Sequence, residues 1–407
     1  MSDFYQTGIV ATLHSLGDDL LERLEAELEV HAAKRPVGLV LPALYREFQH
    51  PAMERIVDQL RGANYLQRIV VAIGRCNRHE YEQARSFFEG FRTPVTALWM
   101  EDERITDIFR VLDDAGVSAG EAGKGRTCWL SFGYLLAMGD VDVITLHDCD
   151  IRNYDRRLLA RLIYPLVHPN LGFEFAKGYY ARVSDRLHGR VSRLFFTPLV
   201  RAIQEMTPEV KYLRFLDSFR YALAGEFAMD ANLARVNRIP SDWGLEVGVL
   251  AEVYRNCAIS RICQVDIAHN YDHKHQELSA DDPSGGLRRM SCDIAKSLFR
   301  TLAQQGVVLG NDQFRALEVF YVRLAQDTIR RYYADALING LQFDRHNEDT
   351  AVATFARSIR EGAKEYLDDP LGLPQIPNWN RVVSAVPDVF GRLLEATRDM
   401  VLDPVKV

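Results

Sequence analysis

Short apolar runs alternate with helix-length segments over roughly the first 150 residues, and no other feature restricts the fold of this chain as much. Val37-Gly-Leu-Val-Leu41, closed by Pro42, is continuously apolar, as a strand covered on both faces must be. Arg68–Ile73 repeats the pattern, Val95–Trp99 carries a shorter version, and Val141–His147 runs directly into Asp148. Ahead of the first run, residues 15–34 carry Leu21, Leu24 and Leu28 at helical spacing before Pro36 stops them. Residues 77–91 and the stretch after Gly123-Lys124-Gly125 also read as helices. Parallel strands need a crossover connection, usually a helix, so the alternation predicts an α/β fold: a mostly parallel sheet with helices on both faces. Ligands in such folds bind beyond the carboxyl ends of the strands, where Pro42-Ala-Leu44, Gly74 and Asp148 would lie.

The remaining composition narrows the class. With 407 residues, 47% of them hydrophobic, the chain can build its own core without disulfides or structural zinc. A formal net charge of −7 argues against a nucleic-acid partner bound by phosphate neutralisation. The cysteines, at 76, 128, 149, 257, 263 and 292, form no Cys-x-x-Cys pair and read as free thiols of a cytoplasmic protein. The opening MSDFYQTGIV shows no basic segment followed by a long apolar run, so no signal peptide is expected, and no run approaches the roughly 18 apolar residues of a membrane span. The last 115 or so residues read as helical, with Phe314, Leu317, Phe320, Tyr321 and Leu324 on one face, suited to core packing or to a homodimer contact. The expected division is an N-terminal helical segment (1–35), a nucleotide-binding half (36–150), an acceptor-binding half (151–290) and a helical C-terminal extension (291–407).

Two acidic triplets compete for attention. In an extended segment, side chains two apart share a side, so Asp148 and Asp150 can present two hard oxygen ligands to Mg²⁺ or Mn²⁺. Asp140-Val-Asp142 has the same spacing but precedes its apolar run, which places it at the wrong edge of the sheet. His273 and His275, in Asp272-His-Lys-His275, are further candidate ligands or else a solvated loop. Gly123-Lys124-Gly125-Arg126 offers close backbone approach, a helix N-terminus and a cation to a diphosphate, although it is no P-loop. Gly189-Arg190-Val191-Ser192 suits a phosphate or carboxylate, or is an ordinary helix start with Ser192 as its cap. Glu226 and Glu246 could hold sugar or acceptor hydroxyls; Glu226 could equally serve a structural salt bridge.

In this order along the chain, Pro42-Ala-Leu44 with Glu47, Gly123-Lys-Gly125, Asp148-Cys-Asp150, Lys177, Gly189–Ser192, Leu223-Ala-Gly-Glu226, Gly244-Leu-Glu246 and Gln264 through His273 resemble the glucosyl-3-phosphoglycerate synthases, and more loosely their mannosyl relatives. The resemblance implies a GT-A type, Rossmann-like fold. It also implies retaining transfer of a hexose, glucose in the leading reading, from a nucleoside diphosphate sugar to the 2-hydroxyl of 3-phosphoglycerate. The product would be the precursor of the compatible solute glucosylglycerate. Pro42, Ala43, Leu44, Glu47, Lys124, Asp148, Cys149 and Glu226 would meet the donor. Gly189, Arg190, Val191 and Ser192, with Lys274 and His275, would meet the acceptor. Asp150 and His273 would hold the metal, Glu246 would bind sugar or acceptor, and the Leu223 carbonyl would face the anomeric carbon. Tyr45-Arg46 and Ala72–Arg75 depart from the family pattern and leave the nucleobase open; Lys274-His275 leave free D-glycerate open as acceptor. A nucleotidyltransferase and a non-catalytic sugar-nucleotide sensor are the readings outside this family.

Overall fold

A computed structural model describes residues 6, 8–17, 20–240, 244–272, 286–372 and 375–405. Its strands are β1 (Ala11–Leu13), β2 (Val37–Leu44), β3 (Leu66–Gly74), β4 (Val95–Trp99), β5 (Val143–Leu146), β6 (Phe175–Tyr180), β7 (Phe227–Asp230), β8 (Ile262–Ala268) and β9 (Val401–Leu402). They form one nine-stranded sheet in the order β1-β8-β6-β7-β5-β2-β3-β4-β9. The sheet is mostly parallel, as the alternation predicts; β7 runs against both its neighbours, and β9 runs against β4. Two apolar cores, one on each face, bury β2 and β3 almost completely, which is why their sequences carry no period-two alternation.

The expected helices are present as Leu21–Ala32 ahead of β2, and as Arg78–Ser86 and Lys124–Met138. The Arg78 helix starts at a reciprocal cap, in which the Asn77 side chain accepts from Glu80 N at 3.0 Å and the Glu80 carboxylate accepts from Asn77 N at 2.8 Å. Lys124–Met138 is buried on most sides and ends at Gly139, whose φ of 67° suits glycine.

Both ends of the chain were expected to be helical, yet each also supplies an outer strand, β1 beside β8 and β9 beside β4. Strands of three and two residues are too short to show a period. The C-terminal helices Gly286–Gln304, Asn311–Ile338 and Arg345–Asp368 pack on the sheet domain. Phe314, Leu317 and Tyr321 are buried, with Phe320 and Leu324 packed beside them, so this apolar face is core. Trp379 stacks on Trp129 with ring centroids 4.1 Å apart, and Gly133 leaves room for it, since a Cβ there would fall 1.9 Å from the indole.

Candidate active site

The carboxyl ends of β2, β3, β4 and β5 open into one cleft of about 2760 Å³. Because β7 is antiparallel, the loop that leads into it, Leu223–Glu226, arrives at this same edge. The pairing Leu146↔Phe227 sets that loop against the residues that follow β5. The fit is tight: a Cβ on Gly225 would lie 2.3 Å from Asp148 Oδ2.

Lys124, at the start of its helix, reaches into the cleft. Its Nζ lies 2.7 Å from Asp148 Oδ1 and 3.2 Å from Glu246 Oε1. Burial opposes the ammonium charge, but Asp148 and Glu246 outweigh it and hold the group well above its ordinary range. Asp150 stands in the same wall, and burial, with Asp148 and Glu47 adding repulsion, pushes its carboxyl up to about 7. Glu47 caps Leu44 N at 2.9 Å, and burial followed by the charge of Asp148 raises its carboxyl too. Cys149 alternates the other way: its side chain, 2% exposed, packs in the core beneath β2, and burial holds the thiol protonated. Only its backbone is placed to meet a donor, because the pleat that exposes the two aspartates turns Cys149 inward. The competing Asp140 pairs with Arg68 at 2.5 Å, far from the cleft wall.

Glu226 does not line the cleft. It is fully buried beneath it, where its carboxylate accepts from Tyr180 Oη at 2.8 Å and from Tyr271 Oη. Its partners are thus two phenols rather than the cation a salt bridge would need, and burial, followed by Asp148, raises its pKa. The two tyrosine rings stack at 3.8 Å. Lys177, also fully buried, donates from Nζ to the Ala224 carbonyl at 2.6 Å, and burial lowers its pKa to about 8. The neighbouring Leu223 lines the cleft, and its carbonyl accepts no hydrogen bond among the described residues.

Gly189 takes a φ of 72°, and Arg190, Val191 and Ser192 follow it along the cleft wall. Ser192 does not cap a helix; it lies inside the first turn of Val191–Phe196, with its hydroxyl buried and without a hydrogen-bond partner among the described residues. His273, Lys274 and His275 lie outside the described residues. Among the described residues no three His, Cys, Asp or Glu side chains converge as a complete metal cage. The carboxylates in this wall, Glu47, Asp148 and Asp150, the last raised to about 7 by burial first and then by its acidic neighbours, are hard oxygen donors of the kind divalent cations take.

Sequence reasoning did not single out Tyr180, Tyr271 or Glu101, and it marked Arg75 only as part of a departure from the family pattern. The two tyrosines could have been sought as partners once Glu226 was read as a buried carboxylate. At the end of β3, Arg75 adopts a φ of 57° while its N donates to Glu101 Oε1 at 2.8 Å, on the cleft wall. Such a pairing across 26 residues leaves no local signature.

No protein-family model matches the chain. Glucosyl-3-phosphoglycerate synthase of Persephonella marina is 45% identical over 399 residues, covering 98% of this chain and 99% of the relative. The enzyme of the same name from Methanococcoides burtonii is 40% identical, covering 97% of each. The crystal structure of Mycobacterium tuberculosis glucosyl-3-phosphoglycerate synthase with Mn²⁺, UDP-glucose and phosphoglyceric acid superposes with a TM-score of 0.53 at 21% identity, covering 74% of this chain and 89% of that one. That structural likeness supports the GT-A fold. With near-complete coverage at 45% and 40% identity, the chain belongs to the glucosyl-3-phosphoglycerate synthase family.

Proposed function

We propose that this protein transfers glucose, with retention of configuration, from a nucleoside diphosphate sugar to the 2-hydroxyl of 3-phosphoglycerate. The observation that carries the site assignment is the convergence of Lys124, Asp148 and Glu246, with the Leu223–Gly225 loop closing on Asp148, at the edge where such sheets bind ligands. Pro42, Ala43, Leu44 and Glu47 form the nucleotide end of the cleft. Lys124 lies where a departing diphosphate needs positive charge, and Asp148 and Glu246 hold its ammonium in place. Lys177 pins the Ala224 carbonyl, which leaves that of Leu223 to face the anomeric carbon and to stabilise positive charge developing there. Glu226 acts from below, fixing Tyr180 and Tyr271 in the cleft wall. Asp150, with His273 as the partner implied by the family, would hold Mg²⁺ or Mn²⁺, which supplies charge neutralisation to the leaving diphosphate. Gly189, Arg190, Val191 and Ser192 hold the anionic acceptor, and Lys274 and His275 belong to the same end by resemblance.

The test is a crossed assay of UDP-, GDP- and ADP-linked glucose and mannose with 3-phosphoglycerate and D-glycerate. Transfer to 3-phosphoglycerate from one glucose nucleotide is expected; transfer to glycerate alone, or no transfer with any pair, overturns the proposal. No helix among the described residues is long and apolar enough to cross a membrane. A cytoplasmic homodimer completes the proposal. Its support is the exposure of Val319, Tyr333, Leu337 and Ile338 on the Asn311–Ile338 helix, and light scattering on the eluted protein checks it.

A further inference from the structure

The acceptor turn is held from outside the sheet domain. Glu348 lies in the first turn of the C-terminal helix Arg345–Asp368, and its side chain is only 5% exposed. Arg190 Nε donates to Glu348 Oε1 at 2.7 Å. Arg193 Nη1 forms an ion pair with Glu348 Oε2 at 2.6 Å, oriented off the line of a hydrogen bond. The same Arg193 donates from Nε to the His188 carbonyl at 2.9 Å and from Nη2 to the Leu187 carbonyl at 3.2 Å, and its guanidinium covers the Tyr332 ring at 5.0 Å. One carboxylate therefore sets the side chain of Arg190 directly and, through Arg193, the backbone just ahead of Gly189. The extension grips this loop at a second point: Gln342 N donates to the Asp185 carbonyl at 2.8 Å, and Arg186 Nη2 donates to Gln342 Oε1 at 3.0 Å.

The way Arg190 is held matters for anion binding. Only its Nε is engaged among the described residues, and the residue lines the main cleft. A guanidinium offers five donors in a rigid fork, so anchoring Nε leaves both terminal nitrogens for a planar or tetrahedral anion. An unanchored arginine would lose rotamer freedom on binding, and an anchored one has already lost it.

We propose that Glu348 is a positioning residue for the acceptor: it aims Arg190 and braces the Gly189–Ser192 turn, so that the C-terminal extension sets affinity for the anionic acceptor. This rests on the assignment of that turn to 3-phosphoglycerate. Steady-state kinetics on the full-length protein, with each substrate varied in turn, compare wild type, Glu348→Gln, Glu348→Asp, Arg190→Ala and the Arg190→Ala/Glu348→Gln pair. Glu348→Gln is expected to raise the acceptor KM about tenfold or more, the scale of one lost charge-assisted hydrogen bond, while donor KM and kcat stay within about twofold. Glu348→Asp, which keeps the charge, should fall between wild type and Glu348→Gln, and the double variant should raise the acceptor KM by less than the product of the two single effects, because part of the action of Glu348 runs through Arg190 and the rest through Arg193. If Arg190→Ala raises the acceptor KM and Glu348→Gln leaves it at the wild-type value, the proposal is overturned while the acceptor assignment stands. If neither substitution moves that KM although wild type turns over 3-phosphoglycerate, the acceptor assignment itself falls, and the proposal with it. A drop in kcat alone, with both KM values unchanged, marks a merely structural role and overturns the proposal. Should Glu348→Gln not fold by thermal melt, Glu348→Asp takes its place, and an unchanged acceptor KM there overturns it.

Discussion

Gly225→Ala tests whether the position of Asp148, rather than its mere presence, governs turnover. The added Cβ would lie 2.3 Å from Oδ2, 2.8 Å from Cγ and 3.1 Å from Oδ1 of Asp148, where ordinary contact begins near 3.4 Å. One of the two must give by about 1 Å. The loop is the stiffer party. Lys177 holds the Ala224 carbonyl at 2.6 Å, Gly178 N donates to the Glu226 carbonyl at 2.9 Å, and two tyrosines hold the Glu226 side chain. Asp148 stands on the open side, beside the flexible Lys124 ammonium at 2.7 Å, so the carboxylate moves and takes Lys124 with it. A misplacement of that size in a catalytic constellation costs about a hundredfold in rate. We expect kcat to fall about that far, donor KM to rise and acceptor KM to hold, with a melting temperature close to wild type. The matched control is Gly391→Ala, where a Cβ meets nothing within 4 Å in a helix; it should leave turnover unchanged and stabilise slightly, by up to about 1 kcal/mol. Wild-type kcat in Gly225→Ala would refute the argument that this close approach sets the site.

The remaining predictions concern stability and metal. Trp379→Ala removes a fully buried ring stacked on Trp129 and should cost about 3–5 kcal/mol in urea unfolding, a cavity effect; a loss under 1 kcal/mol counts against a load carried by this stack. Tyr271→Phe takes one hydrogen bond from the buried Glu226 carboxylate and should cost about 1.5–3 kcal/mol, read by the same urea unfolding. Lys177, lowered by burial to about 8 from 10.5, binds its proton more readily in the unfolded chain. Its contribution to stability therefore rises as pH climbs from about 8 to about 10.5, so wild type should gain about 3 kcal/mol on Lys177→Met across that window. A pH-independent difference between the two would sink this assignment. Exhaustive chelation should abolish transfer and added Mn²⁺ or Mg²⁺ should restore it; full activity in excess chelator removes Asp150 from the proposed metal site.

The strand–helix alternation was visible because β2, β3 and β5 are buried on both faces and so must be apolar throughout. Once that order is known, the rule that ligands bind beyond the carboxyl ends picks Asp148 over Asp140, and Pro42–Leu44 and Lys124 follow to the same cleft. Three things were not readable along the chain. The antiparallel direction of β7 brings Leu223–Glu226 to the working edge, and strand direction follows from how the crossovers pack, not from the composition of a four-residue strand. Glu226 lies beneath the cleft instead of in its wall because its partners, Tyr180 and Tyr271, are 46 and 45 residues away and meet only when β6 and β8 pair in parallel. Glu348 joins Arg190 across 158 residues, a pairing between the C-terminal helices and the cleft wall that no local pattern in the sequence announces. Local periodicity and spacing determine elements and the edge at which chemistry sits. Which side chains share a carboxylate is decided only by the tertiary packing that buries it, because a buried charge must find its partners wherever the fold brings them.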